Sequence, residues 1–238
     1  MRPSHVAPLI AALVITVGMD VQMIAAQVPA TAKVGIDHLI IGSDDLERGM
    51  AEFERRTGVR PVKGGVHPGR GTQNALASLG DGAYVEIMAP SHEPGTTIDA
   101  RTRSPTLIPV GWALHTEDMA SVVSSLRAAG LAVSAISPGA RARPDGTRLE
   151  WQTAGVSGDG LEAAPFFIAW GRTTAHPSTE SPTGCRLVRV AMTEPSPVPL
   201  QRFLDLSGVP VRVTAAPKSG MTMVLQCPAG TVTFETPR

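Results

Sequence analysis

The sequence predicts an α+β fold assembled from repeated strand–helix–strand–strand–strand (βαβββ) units. Three observations carry that prediction. Stretches of two-residue apolar alternation and short amphipathic helical stretches follow one another in the same order three times between residues 34 and 235. The helix-ending segment Phe53-Glu-Arg-Arg-Thr57-Gly58-Val59 aligns without gaps on Phe203-Leu-Asp-Leu-Ser207-Gly208-Val209. The 238 residues include 24 Gly and 21 Pro, which implies many turns between short elements, while 42% hydrophobic residues is too apolar for disorder.

In the first unit, Gly35–Ile41 alternates as a strand, and Ser43-Asp44-Asp45 offers N-cap oxygens to a helix that starts at Leu46. Leu46, Met50 and Phe53 fall at helical spacing, and Gly58 stops the helix. A short strand is expected at Val59–Val62, followed by a glycine-rich loop around His67-Pro-Gly-Arg70-Gly. Thr72–Leu79 and Ala83–Met88 then form a hairpin through Gly80-Asp81-Gly82.

The second unit starts at Gly111–Leu114, continues with a helix over 118–129, and is expected to have strands at Leu131–Ile136, Thr147–Thr153 and Pro165–Trp170. The third starts at Cys185–Val190, with a helix from Pro197 to Ser207 and strands at Val209–Val213, Met221–Gln226 and Thr231–Glu235. A single such unit leaves one sheet face uncovered and so needs a neighbour. Two units pair into a half-open barrel with a cavity. The third packs on its flank or mediates a homodimer.

Residues 1–32 read as a signal peptide and linker. Arg2 supplies positive charge, Val6 to Met19 is an apolar run broken by Pro8 and Gly18, and small residues follow at Ala25-Ala26 and Ala30-x-Ala32. The run is shorter than the ~20 apolar residues a span requires, so no stable membrane span is expected after cleavage. Export to a periplasm or the exterior is the leading reading, and an anchor over residues 6–19 is the alternative. Cys185 and Cys227 sit at the same edge of the third sheet, which makes a disulfide plausible in an exported chain; two buried thiols are the alternative. With 21 basic and 21 acidic residues and 4% aromatics, nothing points to nucleic acid. The sequence has no P-loop, dinucleotide fingerprint or Ser-His-Asp set, and no nucleotide cofactor is expected.

Two metal-ligand residue types stand in the first and last strands of the first unit, which a small sheet can bring together. His38 shares a strand face with Ile36 and Ile40, and Glu86 shares one with Tyr84 and Met88. His67 and Arg70 sit in the glycine-rich loop, where Arg70 can clamp a carboxylate or phosphate. Asn74 either orients substrate or holds that loop. Trp151 and Phe167, with Tyr84, Phe166 and Trp170, are candidates for cavity wall or core.

Asp37-His38-Leu39-Ile40, the loop Gly64-Gly65-x-His67-Pro68-Gly69-Arg70-Gly71-Thr72-x-Asn74 and Tyr84-x-Glu86-Ile87-x-Ala89-Pro90 together resemble glyoxalase-like domains of the vicinal oxygen chelate superfamily. Pro165–Trp170 and His176-Pro177-Ser178 extend the likeness to about residue 178. The resemblance implies a paired domain over residues 33–180, with a third unit over 181–238. It also implies a cup that holds one divalent ion (zinc, iron, manganese or nickel) on His38, Glu86 and Gln73, with His67 or His115 as further ligands. Gln73 stands where some relatives carry a histidine, and Gly111 and Ala169 occupy positions that cannot ligate. Glu86 and Arg70 are the candidate catalytic residues, and His67, Arg70, Asn74, Trp151 and Phe167 the substrate contacts. Three functional readings remain open. One is a lyase, isomerase or dioxygenase type of enzyme acting on a small oxygenated metabolite. Another is a non-catalytic exported protein that binds a small molecule in the same cavity. The third is a structural protein whose third unit serves dimerisation.

Overall fold

The computed structural model describes residues 27–29, 32–91, 93–142 and 145–237. The apolar run 6–19, read as export signal or anchor, lies outside the described residues. The elements, in chain order, are β1 (Gly35–Gly42), α1 (Leu46–Thr57), β2 (Val62–His67), β3 (Thr72–Gly80), β4 (Ala83–Pro90), a 3-10 turn (Ala100–Thr102), β5 (Ile108–His115), α2 (Met119–Ala128), β6 (Ala132–Val133), β7 (Ser137–Ala142), β8 (Arg148–Ala154), β9 (Val156–Ser157), β10 (Phe166–Trp170), α3 (Pro177–Glu180), β11 (Arg186–Glu194), α4 (Pro197–Leu206), β12 (Arg212–Ala215), β13 (Gly220–Cys227) and β14 (Gly230–Glu235).

The first two units form an eight-stranded sheet in the order β2-β3-β4-β1-β5-β10-β8-β7. Each contributes four strands, and β1 and β5 join them antiparallel. The sheet curls until its edge strands approach. Arg141 of β7 reaches the Gly64 carbonyl of β2 with a guanidinium hydrogen bond, which bridges the seam. The result is the α+β, nearly closed barrel that the repeat pattern predicts.

Local chemistry explains the helices. Asp45 caps α1 by accepting from the Arg48 N–H at 2.8 Å, and Gly58 ends it with φ 77°. Asp118 caps α2 in the same way, accepting from Ser121 N–H. The apolar stripe Leu46, Met50 and Phe53 is buried beneath the sheet.

The third unit keeps the linear order of elements but not the strand order, which is β12-β11-β13-β14. Here β12 follows α4 and pairs parallel to β11, so β13 must add to β11's other side. This unit packs on the flank of the barrel. Phe234 stacks on Phe53 of α1 at 5.7 Å, and Phe203 of α4 meets Phe167 of β10 edge-on at 5.9 Å. One apolar core runs through all three units. Cys185 and Cys227 are joined by a disulfide that ties the entry of β11 to the exit of β13.

Three expected elements differ, one of them the strand after α4, expected at Val209–Val213 and found as β12 at Arg212–Ala215. The strand after α1 begins at Val62 rather than Val59 and runs through Gly64-Gly65 to His67, so the turn of the glycine-rich segment is confined to 68–71. In the second unit, only Ala132–Val133 of the expected 131–136 strand pairs, with β9. Its place beside β8 is taken by β7, Ser-Pro-Gly-Ala-Arg-Ala, which lacks the β-branched residues that mark a strand.

Candidate active site

β1 and β4 lie side by side and parallel, with Ile40 opposite Glu86. His38 and Glu86 both face a cavity of about 600 Å³ inside the barrel. His38 Nε2 stands 3.5 Å from Glu86 Oε2, and both side chains are almost fully buried.

A bulge in β1 determines how the histidine is held. Ile36 pairs with Leu114 and His38 with Ala113, so Asp37 is the extra residue. It is thereby turned to its neighbour, and its Oδ1 lies 2.6 Å from His38 Nδ1. Asp37 Oδ2 accepts from Trp170 Nε1 at 2.9 Å and from His176 Nε2 at 3.1 Å. His176 Nδ1 accepts the Ser178 backbone N–H, which leaves its proton on the nitrogen that faces Asp37. Three ring N–H groups therefore surround one fully buried carboxylate, and the His38 imidazole is fixed with Nε2 toward the cavity. Tyr84 stacks on that imidazole at 4.8 Å, and Phe166 meets its edge at 5.6 Å.

Around Glu86 the partners are polar. Asn74 Nδ2 donates to Glu86 Oε1 at 2.7 Å and lies 3.3 Å from His67 Nε2. The His67 ring is held at its other nitrogen by Thr72 Oγ1, and its Nε2 stands 3.5 Å from Glu86 Oε1. Buried Arg141 lines the same cavity.

These surroundings push the titrating groups apart. Burial alone would raise Glu86, but the charges of His67 and His38, the Asn74 hydrogen bond and Arg141 outweigh it and hold the carboxyl below its ordinary value. Burial alone would lower His38, but its hydrogen bond to Asp37 and the charges of Asp37 and Glu86 hold it above. Burial keeps His67 below the ordinary imidazole value, and nearby Arg141, Arg70 and His38 reinforce this against the pull of Glu86. Asp37 is lowered: burial opposes ionisation, but the His176 and His38 hydrogen bonds prevail. The site thus pairs an ionised Glu86 with an imidazole biased toward its protonated form.

The other sequence candidates divide between cavity and scaffold. Arg70 lies exposed at the rim, with His67 and Pro68 beside it. Trp151 lines the far wall, edge-on to Trp170 at 5.7 Å, with its indole lying over Gly139. Asn74 is inside but holds Glu86. Phe167 points away into the core, and its neighbour Phe166 faces the cavity, because adjacent strand residues alternate. Gln73 is also off the cavity. It sits between the cavity-lining Thr72 and Asn74, and its amide donates to the Pro90 carbonyl. His115 packs over Gly35, away from the cup. Asp37 and Arg141 were not among the candidates. Strand alternation assigns Asp37 to the opposite face, and Arg141 lies in a strand that reads as a loop.

The donor set bears on the metal expected from the resemblance. His38 Nε2 and Glu86 Oε2 have the spacing of two ligands on one ion, about 3.4 Å for tetrahedral bonds of about 2.1 Å. His67 faces the other carboxylate oxygen, with the Asn74 amide beside it, so the two imidazoles bracket Glu86 rather than converge with it. Among the described residues no group of three or more His, Cys, Asp or Glu is arranged to hold a metal. The second unit adds Phe166, Ile168 and Trp170 to this wall, and on β5 it sets Ala113 and Gly111 opposite His38 and Ile40; none of these ligates. These residues do not fit a resident three-ligand ion.

A family model for the glyoxalase-like domain matches residues 36–206. The chain belongs to the glyoxalase-like domain family. Its place in the vicinal oxygen chelate superfamily agrees with the paired barrel. Members of that superfamily often use divalent metals. A hypothetical protein from Staphylococcus aureus superposes with a TM-score of 0.60 at 17% identity, covering 85% of each chain. Methylmalonyl-CoA epimerase from Mycobacterium tuberculosis aligns over 63% of this chain and 92% of its own, at 19% identity and a TM-score of 0.42. At 17% identity the likeness to the Staphylococcus aureus protein is one of fold. No curated protein matches the sequence. Among the described residues no helix is long and apolar enough to cross a membrane.

Proposed function

We propose that this glyoxalase-like chain is an exported enzyme that moves a proton at a carbon beside a carbonyl in a small oxygenated metabolite, the chemistry of isomerases and lyases. One observation carries this reading: a carboxylate and an Asp-held imidazole with opposed proton affinities stand 3.5 Å apart in a cavity of about 600 Å³.

Glu86 is the general base. It is ionised and held by Asn74, and its Oε2 faces the opening to His38. His38, protonated and oriented by Asp37, donates from Nε2 to the carbonyl oxygen as charge builds there. The proton leaves carbon for Glu86 while the new enol oxygen is stabilised by the imidazolium. Returning the proton to the same or an adjacent carbon completes an exchange or an isomerisation. Arg70 at the rim draws in and orients an anionic substrate. No step is routed through a metal. The signal-like N-terminal run supports export to a periplasm or the exterior.

Deuterium incorporation tests this reading. Mature protein is incubated in D2O with 2-hydroxy aldehydes, 2-hydroxy ketones and 2-oxo acids, and the carbon-bound proton signals are followed by NMR. Exchange in wild type that Glu86→Gln abolishes is the expected result. Exchange of none of these classes, or exchange that survives Glu86→Gln, would overturn it.

The missing second-unit ligands favour a second reading: a protein that sequesters its ligand without turnover. Saturable binding of one of these compounds without any exchange would support it.

A further inference from the structure

A second hollow, of about 320 Å³, adjoins the cup and takes no part in the proton-transfer reading. It fills a gap in the barrel wall. β10 pairs with β5 only from Phe166 opposite Ala113 onward, so β5 has no strand on that side from Pro109 to Trp112. Segment 162–164 borders the gap, and the Trp112 indole donates to the Ala163 carbonyl at 3.1 Å. Met192 of β11 and Met221 of β13 close the hollow from the third unit.

This hollow meets the cup beside the reacting pair. Ile40, Arg101 and Phe166 line both. Ile40 lies opposite Glu86 on the paired strands, and Phe166 meets the His38 ring at 5.6 Å. Gly111, opposite Ile40 on β5, keeps the junction clear. A side chain there would start 3.6 Å from Ile40 Cδ1 and 3.9 Å from Arg101 Nη1, which are ordinary contacts. Gly111 is not held at positive φ either, so the backbone does not demand glycine here.

The walls define the occupant. Pro109, Val110, Trp112, Ala164, Met192 and Met221 are apolar. The polar side chains between them already have partners. Ser219 Oγ donates to Glu194 at 2.5 Å, and Thr236 Oγ1 donates to the Pro109 carbonyl and accepts from the Met221 N–H. Arg101 binds Asp99 through three contacts of 2.7–3.1 Å, and Glu162 accepts from the Gly160 N–H. A space of this size whose polar groups are spent suits hydrocarbon.

We propose that this hollow is an annex of the cup that takes the apolar tail of a carbonyl substrate whose oxygenated head lies at His38 and Glu86. The inference rests on the proposed function for the head and adds the tail to the substrate class. The third unit thereby gains a part in recognition, because its two methionines supply a pliable wall that the two-unit barrel lacks.

Calorimetry with neutral straight-chain 1-hydroxy-2-ketones, from hydroxyacetone to 1-hydroxy-2-octanone, reads the annex. In wild type each added CH2 is expected to tighten binding about fourfold. Gly111→Leu, which plugs the junction, and Ala164→Phe, which fills the hollow, should each flatten this length dependence and leave hydroxyacetone binding unchanged. Folding of each variant is checked by circular dichroism. No length dependence in wild type, or one that survives both variants, would overturn the proposal. If neither variant folds, a crystal structure of wild type grown with 1-hydroxy-2-octanone decides. A chain that passes Gly111 into the hollow supports the annex, and its absence there refutes it. Length-dependent binding without deuterium exchange would sink the catalytic reading and leave the annex standing; exchange without length dependence would do the reverse.

Discussion

Asp37 and His38 are neighbours in a strand, where alternation separates side chains, yet their Oδ1 and Nδ1 atoms meet at 2.6 Å. The bulge between Ile36 and His38 makes this contact. It spends one imidazole nitrogen on a buried carboxylate and aims the other at Glu86. Bulges beside active sites re-aim side chains in this way.

Replacing Asp37 by Asn keeps the shape but removes the charge that holds His38 protonated. His38 should then titrate lower, and exchange activity should fall by about 100-fold or more. A proton NMR titration of the imidazole Cε1–H signals checks the first part. An unchanged His38 titration would detach Asp37 from the proposed role.

The pH profile follows from the two opposed shifts. Glu86 is needed ionised, and its affinity for protons is lowered, so the acid limb should fall below its ordinary value of 4.5. His38 is needed protonated, and its affinity is raised, so the alkaline limb should lie above 6.5. Activity is therefore flat between those values. An alkaline limb below 6.5 would mean that His38 acts as a neutral group.

Phe234 holds the third unit to α1 by stacking on Phe53. Phe234→Ala removes a fully buried ring and should cost about 3–5 kcal/mol in urea unfolding. A loss below about 1 kcal/mol would mean that the third unit contributes little to the barrel.

The disulfide closes a separation of 42 residues, for which chain entropy suggests about 4 kcal/mol. Reduction, or Cys185→Ser with Cys227→Ser, should lower stability by up to that amount. Two free thiols in the purified, non-reduced protein would contradict the bridge.

Residues before β1 are part of the fold. Val28 N–H donates to the Leu206 carbonyl, and fully buried Ala32 receives hydrogen bonds from Thr116 Oγ1 and Glu117 N–H. If the chain is exported as proposed, processing should therefore occur before Val28, with Ala25-Ala26 as the small-residue site. N-terminal sequencing of the mature protein checks this, and a start beyond Ala32 would contradict it.

Much of this architecture is legible in the sequence because period and punctuation agree locally. Leu46, Met50 and Phe53 between Asp45 and Gly58 specify α1, and Gly80-Asp81-Gly82 specifies the β3–β4 hairpin. His38 and Glu86 could be placed on one cavity because their strands alternate cleanly. Where a local irregularity intervened, the reading failed. The bulge reverses Asp37, and β7 has Pro138 and Gly139 in place of β-branched residues, because Trp151 lies across Gly139. That concealed Arg141. Gln73 and Phe167 were each one position from the residue that faces inward, the error that a two-residue period magnifies most. The strand order of the third unit depends on which edge of β11 is free, which no local pattern encodes.

The most direct test of the central claim, that Glu86 and His38 move the proton themselves, is deuterium exchange by protein stripped of metal with a strong chelator. Exchange should persist at the wild-type rate and disappear in Glu86→Gln. Loss of exchange on chelation, with recovery on adding zinc, manganese, iron or nickel, would contradict the claim and assign the chemistry to an ion held by the same pair.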